Sequence, residues 1–220
     1  MSLEVIEFET GPEPVASLIV LHGLGADGND FVPVAEQLDL RRIGAVRFVF
    51  PHAPTRPITI NGGHVMRGWY DIVGADLVQR EDEAGLRASQ AAIEALIAVE
   101  IGRGVPARRI VLAGFSQGCA MTLMTGLRHA ERLAGLACLS GYLPVSATLG
   151  AERSAANADV PIFLAHGSHD PVIPLPRSVA SRERLVELGY AVEWHEYPMG
   201  HSVCAAEITD LNRWLLNVLG

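Results

Sequence analysis

The amino-acid sequence predicts an α/β fold: a mostly parallel central sheet with an antiparallel edge strand and helices on both faces. Two observations carry this. Strand-like and helix-like patterns alternate along the chain. Several strand runs, such as Ser17-Leu18-Ile19-Val20-Leu21 and Ile110-Val111-Leu112-Ala113, are apolar throughout instead of alternating with polar residues. A strand covered by helices on both faces turns no side to water, so it reads as a continuous apolar run.

Taken in order, strands are expected near residues 3–9, 16–21, 46–50, 109–113, 134–139, 161–165 and 191–197. The first, Leu3-Glu4-Val5-Ile6-Glu7-Phe8-Glu9, comes closer to alternation and suits an exposed edge. Helical patterns fall near 31–39, 84–102, 117–131, 176–188 and 205–218. Leu86, Ile93, Leu96, Ile97 and Ile101 recur at roughly helical spacing, as do Ile208, Leu211, Leu215, Val218 and Leu219. Both sets read as core-facing stripes. The stretch from about 51 to 83 is long and rich in Pro and Gly, and is expected to cover part of the C-terminal edge of the sheet. That edge is where open α/β sheets bind ligands. No internal repeat or low-complexity linker interrupts the chain, so residues 1–220 read as a single domain without a separate lid domain.

Composition narrows the function. With 220 residues, 49% hydrophobic and 19% charged, the chain reads as a soluble globular protein with room for a substantial core. No apolar run approaches the ~20 residues that cross a bilayer. Met1-Ser2-Leu3-Glu4-Val5 shows no basic region leading into an apolar stretch, so a cytoplasmic location is expected. A net charge of −8 argues against nucleic acid or an anionic membrane as the main partner. All 17 basic residues are arginine. The absence of lysine excludes Schiff-base chemistry, a phosphate-loop lysine and Ser-x-x-Lys hydrolysis together. Cys119, Cys138 and Cys204 are odd in number and lack metal-site spacing, so they read as reduced, packed thiols.

The chemistry-bearing feature is Gly114-Phe115-Ser116-Gln117-Gly118, a G-x-S-x-G between the strand pattern 109–113 and the helix pattern 117–131. In that context it forms a nucleophile elbow, a sharp turn that exposes the serine hydroxyl over a helix N-terminus. A serine hydroxyl needs a base, and the base needs an orienting acid. Downstream, the strand 161–165 opens into His166-Gly167-Ser168-His169-Asp170-Pro171-Val172, and the strand 191–197 opens into Pro198-Met199-Gly200-His201-Ser202. Ser116, Asp170 and His201 therefore stand in the order Ser, Asp, His, the last two in loops after strands.

Each assignment has a plainer rival. His166, His169 and Asp170 could suggest a metal site, but no comparable cluster supplies the remaining ligands. Asp170 before Pro171 could simply start a turn. His195 competes with His201 as base but lies inside a strand pattern, and Glu193 is the reserve acid. For the oxyanion, one donor is expected from the Gln117 N–H. The second is expected from Leu24, in the loop Leu21-His22-Gly23-Leu24-Gly25-Ala26-Asp27-Gly28 after strand 16–21. That loop could instead cradle a phosphate, yet its spacing matches neither G-x-G-x-x-G nor a Walker motif.

Over nearly its whole length the sequence resembles the bacterial carboxylesterases and acyl-protein thioesterases of the α/β-hydrolase superfamily. The resemblance rests on Leu21 to Gly28, Phe50-Pro51-His52-Ala53-Pro54, Arg56 to Gly63, Met66-Arg67-Gly68-Trp69-Tyr70-Asp71, the elbow, His166-Gly167 with Asp170-Pro171-Val172, and Gly200-His201. It implies the α/β-hydrolase fold, Ser116 as nucleophile, Asp170 as orienting acid, His201 as general base, and the Leu24 and Gln117 amides as oxyanion hole. It also implies that the Trp69-Tyr70-Asp71 segment borders the acyl pocket, where the sequence alone reads Trp69 as a core anchor. Asn61-Gly62-Gly63 and Met66 to Trp69 look closer to the bacterial carboxylesterase branch. The expected function is a serine carboxylesterase that hydrolyses esters of short to medium acyl chain through an acyl-enzyme, with no cofactor or metal. The alternatives are an acyl-protein thioesterase or lysophospholipase for long acyl chains and, more remotely, a binding protein that has lost catalysis. The partner is a small-molecule ester or thioester; a homodimer is implied only by the resemblance.

Overall fold

The computed structural model describes residues 3–74 and 81–220. A seven-stranded sheet is built from β1 (Val5–Glu9), β2 (Ala16–Leu21), β3 (Val46–Pro51), β6 (Ile110–Phe115), β7 (Gly135–Leu139), β8 (Ile162–Gly167) and β9 (Val192–Tyr197), in the order β1-β3-β2-β6-β7-β8-β9. A separate hairpin pairs β4 (Thr55–Ile58) with β5 (His64–Arg67). The helices are α1 (Val32–Ala35), α2 (Glu83–Gly102), α3 (Gln117–Gly126), α4 (Ser146–Glu152), α5 (Leu175–Glu187) and α6 (Ala205–Leu219). β1 pairs antiparallel with β3, and the other pairings in the large sheet are parallel. The expected fold class, with its antiparallel edge, is what forms.

The continuous apolar strands serve two cores at once. In β2, Ile19 and Leu21 face one cluster and Leu18 and Val20 the other, because successive side chains alternate faces. The first cluster is closed by α2 and α3 through residues such as Leu86, Ile93, Ile97, Leu123 and Met124. The second is closed by α6 through Leu211, Trp214 and Leu215. Leu96, Ile101, Ile208 and Val218, expected in these stripes, lie at their half-buried margins. Among the described residues no helix is long and apolar enough to cross a membrane.

Several boundaries differ from expectation for identifiable reasons. β6 runs on through Gly114 and Phe115, carrying the strand up to the elbow. The helix expected over 117–131 stops at Gly126. Beyond it, the buried Asn157 amide donates to the His129 and Glu131 carbonyls (both 2.8 Å) and accepts from Leu133 N–H (2.9 Å), holding this stretch as a loop. The helix expected over 31–39 is a 3₁₀ turn, Gly28–Phe31, followed by the short α1. The hairpin β4–β5 and helix α4 were not anticipated. The hairpin belongs to the stretch 51–83 expected to cover the sheet edge; residues 75–80 of that stretch lie outside the described ones.

Candidate active site

In the strand order, β2 connects onward to β3 on one side while β6 lies on its other side. The loops after β2 and β6 thus diverge at a topological switch point, where a crevice opens. Leu21 is in register with Gly114, so the oxyanion-type loop and the elbow emerge side by side.

Ser116 adopts φ 57° and ψ −116°. This left-handed φ is strained for a residue with a Cβ and persists only where its surroundings enforce it. The two flanking glycines show how. A Cβ on Gly114 would lie 2.3 Å from the Gly118 carbonyl carbon and oxygen, and a Cβ on Gly118 would lie 2.0 Å from the Leu21 carbonyl oxygen. Only hydrogen fits at either position, so the turn closes on itself and docks on the end of β2. Ser116 N–H donates to the Leu139 carbonyl (2.9 Å), tying the elbow to β7 as well.

Asp170 and His201 converge on that serine. His201 Nδ1 is 2.6 Å from Asp170 Oδ2, and His201 Nε2 is 2.9 Å from Ser116 Oγ. A carboxylate only accepts, so Nδ1 carries the proton and Nε2 is left to accept from the serine hydroxyl. Asp170 is buried, and its other oxygen accepts from Val172 N–H (2.8 Å) and Ile173 N–H (2.9 Å). The turn reading of Asp170 and the orienting reading therefore coexist, one oxygen for each. Behind it, buried His166 donates from Nε2 to the Ile173 carbonyl (2.8 Å), and burial lowers its pKa, keeping it neutral. The Phe115 ring covers His201 at 4.7 Å between centroids. His195 lies elsewhere, with Nε2 at 2.9 Å from Glu193 Oε1 on β9, so neither joins Ser116.

The backbone on the other side of Ser116 is positioned by side chains that sequence reasoning passed over. His22 Nε2 accepts from Ala53 N–H (3.0 Å), which leaves Nδ1–H to donate to the Gly23 carbonyl (2.7 Å). Burial lowers the His22 pKa and keeps this neutral form. A Cβ on Gly23 would come within 3.3 Å of Ser116 Cβ, so the loop backbone lies directly beside the serine. Among the described residues the Leu24 N–H has no hydrogen-bond acceptor. Gln117 opens α3, where amides lack intrahelical partners. Its side chain accepts from Trp69 N–H (2.9 Å) and donates to the Tyr70 carbonyl (2.8 Å), clamping the 69–70 segment to the elbow helix. The signal for His22 was the His-Gly pair itself; Gln117 was noted only for its backbone.

Trp69 takes the core-anchor position. It is fully buried, and its indole N–H donates to the His22 carbonyl (2.9 Å). It braces the loop from beneath, and it is not among the described residues that line the groove at Ser116 and His201. The groove beside Ser116 and His201 has a volume of about 560 Å³. Its apolar wall comprises Leu24, Phe31, Val34, Val172 and Val203. His166 and His169 diverge, the former behind Asp170 and the latter beside Ser168 (Nδ1 to Oγ, 3.4 Å).

Fold and site together define the α/β-hydrolase class. Residues 3–219 match the profile described as Phospholipase/Carboxylesterase. The chain is 44% identical over 209 residues to acyl-protein thioesterase 1 of Neurospora crassa, covering 91% of this chain and 85% of that one. It is 40% identical over 205 residues to acyl-protein thioesterase 1 of Yarrowia lipolytica, covering 91% and 90%. Among solved structures, Arabidopsis thaliana SOBER1 superposes with a TM-score of 0.88 at 28% identity, over 93% of this chain and 99% of that one. The chain belongs to the phospholipase/carboxylesterase family of hydrolases. The expected bacterial branch is not borne out, since these curated relatives are fungal thioesterases. Gly62 and Gly63, which suggested it, have positive φ in the turn of the exposed hairpin, where the backbone itself favours glycine.

Proposed function

We propose that the protein is a serine hydrolase of thioesters and esters that works through an acyl-enzyme on Ser116, with thioesters of longer acyl chains as its main substrates. The observation that carries the chemistry is the continuous relay of 2.9 Å from Ser116 Oγ to His201 Nε2 and 2.6 Å from His201 Nδ1 to Asp170. In this reading His201 takes the hydroxyl proton as Ser116 attacks the carbonyl carbon. The negative oxygen is met by the Leu24 and Gln117 amides. The protonated imidazole then gives its proton to the departing thiol or alcohol. Water repeats the sequence, with His201 as base, and frees the acid. Asp170 orients the imidazole throughout.

Two things support the thioesterase reading over a short-chain carboxylesterase. The relatives at 44% and 40% identity carry the name acyl-protein thioesterase. The groove offers a largely apolar wall, and each methylene moved from water onto it contributes about 0.8 kcal/mol, roughly fourfold in affinity. The whole chain is taken as one domain of cytoplasmic location; the seven strands hydrogen-bonded into one sheet support the first point.

The test is a series of acyl thioesters from two to sixteen carbons, with Ser116→Ala as control. A kcat/KM that climbs to the longer chains and vanishes in the variant is expected. A maximum at the shortest chains would return the protein to small soluble esters.

A further inference from the structure

Resting on that proposed reaction, the groove carries a charge asymmetry of its own. Asp30 lines it together with Ser116 and His201. Asp30 lies in the 3₁₀ turn Gly28–Phe31, and its neighbour Asp27 is occupied elsewhere, accepting from Asn29 N–H (2.8 Å) and the Asn29 amide (2.9 Å). Among the described residues no arginine lines the groove, and the chain contains no lysine. The other lining side chains are apolar or hydroxylic, apart from His201 itself. A substrate that sits against the apolar wall therefore meets one fixed charge, and it is negative.

We propose that Asp30 sets the charge preference of the reaction, favouring substrates whose leaving group carries positive charge close to the scissile bond and disfavouring anionic leaving groups. His201 delivers the proton to the departing atom, so the leaving group departs past His201, at the groove that Asp30 also lines. The position is fixed by the fold. Gly28, which opens the turn, packs so tightly on β3 that a Cβ there would lie 2.6 Å from the Phe50 carbonyl oxygen, and its N–H donates to His52 Nδ1 (3.1 Å). Phe31, which closes the turn, is held in the core beside Phe115 at 5.7 Å between ring centroids. Asp30 thus projects from a segment anchored at both ends. In a wet groove, one charge acting on another over several ångströms changes kcat/KM by roughly two- to fivefold.

Three thioesters sharing one acyl group test this: those of thiocholine (cationic), N-acetylcysteamine (neutral) and 3-mercaptopropionate (anionic). The wild-type protein should rank them in that order, with the spread collapsing at about 1 M salt, where screening acts over ~3 Å. Asp30→Asn should lower the cationic-to-neutral ratio of kcat/KM by roughly two- to fivefold, and Asp30→Arg should invert it. Turnover of the neutral thioester is the reference within each variant, so only the ratios to it are read. Ratios unmoved by either substitution overturn the proposal. Loss of Ser116 that leaves all three thioesters hydrolysed would instead overturn the reaction assigned to the site, which separates the two failures.

Discussion

Gly167 and Gly200 meet backbone to backbone: a Cβ on Gly167 would lie 2.3 Å from the Gly200 carbonyl oxygen. Ser168 N–H donates to the Tyr197 carbonyl (2.8 Å) and His169 N–H to the Met199 carbonyl (3.0 Å). The loop that carries Asp170 and the loop that carries His201 are thereby stitched into one unit. This matters because β9 lies three strands from β6. At ~4.8 Å per strand, His201 must be led back across the sheet to reach Ser116.

Gly167→Ala should therefore separate the two loops. A displacement of about 1 Å at a reacting group can cost roughly 10²-fold in rate, so kcat should fall by about that factor with KM little changed. Gly62→Ala, in the exposed hairpin with none of the described residues within 4 Å of its Cβ position, serves as a control and should affect only stability, through its φ of 65°. Steady-state kinetics on both variants decides it; equal kcat for Gly167→Ala and wild type would mean that the stitching does not position His201.

Asp170→Asn keeps the shape of the carboxyl group but removes the acceptor that holds the His201 proton on Nδ1. The imidazole should then settle in the wrong tautomer, and kcat should drop by roughly 10³–10⁴. The loss should be smaller than that for Ser116→Ala, because the nucleophile and its base both remain. Unchanged turnover in Asp170→Asn would redirect the role to another acid, with Glu193 the first to examine.

His22→Phe removes the clamp on the Gly23 carbonyl and the acceptor of Ala53 N–H while keeping a ring beside Trp69. If the loop is to aim its Leu24 amide, kcat should fall by about 10²–10³, as for loss of one oxyanion donor. A stability loss of about 1–3 kcal/mol should accompany it, since Ala53 N–H stays buried without a partner. Kinetics and thermal melts on the variant separate the two effects; wild-type kcat with a lowered Tm would make His22 purely structural.

The sites that proved legible and those that did not differ in kind. Ser116, Asp170 and His201 could be read because chemistry-bearing residues follow apolar strand runs, and strand ends are recoverable from sequence. The hairpin β4–β5 escaped because each strand has four residues, Pro57 interrupts the first, and its pairing depends on the register Thr55↔Arg67 rather than on any apolar pattern. Helix α4, seven residues with Gly150 inside, carries too short a stripe to register. Trp69 showed a large aromatic in a Gly-rich stretch, but whether such a ring faces substrate or core depends on where its N–H finds an acceptor. That acceptor, the His22 carbonyl, lies 47 residues away. Asp30 was invisible for the same reason, since only the fold brings it to the groove of Ser116.

Glu207 sets a pH dependence of stability. It is fully buried in the first turn of α6, and among the described residues neither carboxyl oxygen finds a hydrogen-bond partner of normal geometry. Burial pushes its pKa up to about 8, against a weaker pull from the Cys204 N–H. In the unfolded chain it titrates near 4.5, so between 4.5 and 8 the folded state holds a proton the unfolded state has lost. Stability from this group is complete below pH 4.5, declines as pH rises, and is lost above about 8. Glu207→Gln should match wild type in Tm near pH 4 and exceed it near pH 8. A difference in Tm that stays constant across that range would contradict the assignment.

If Ser116 is the nucleophile, a fluorophosphonate must trap it covalently. The protein would be treated briefly with a fluorophosphonate and digested, and the modified peptide would be mapped by mass spectrometry. One adduct, on the peptide containing Ser116, absent in Ser116→Ala and formed far more slowly in His201→Ala, is the predicted result. An unmodified Ser116, or labelling that persists undiminished in Ser116→Ala, would contradict it.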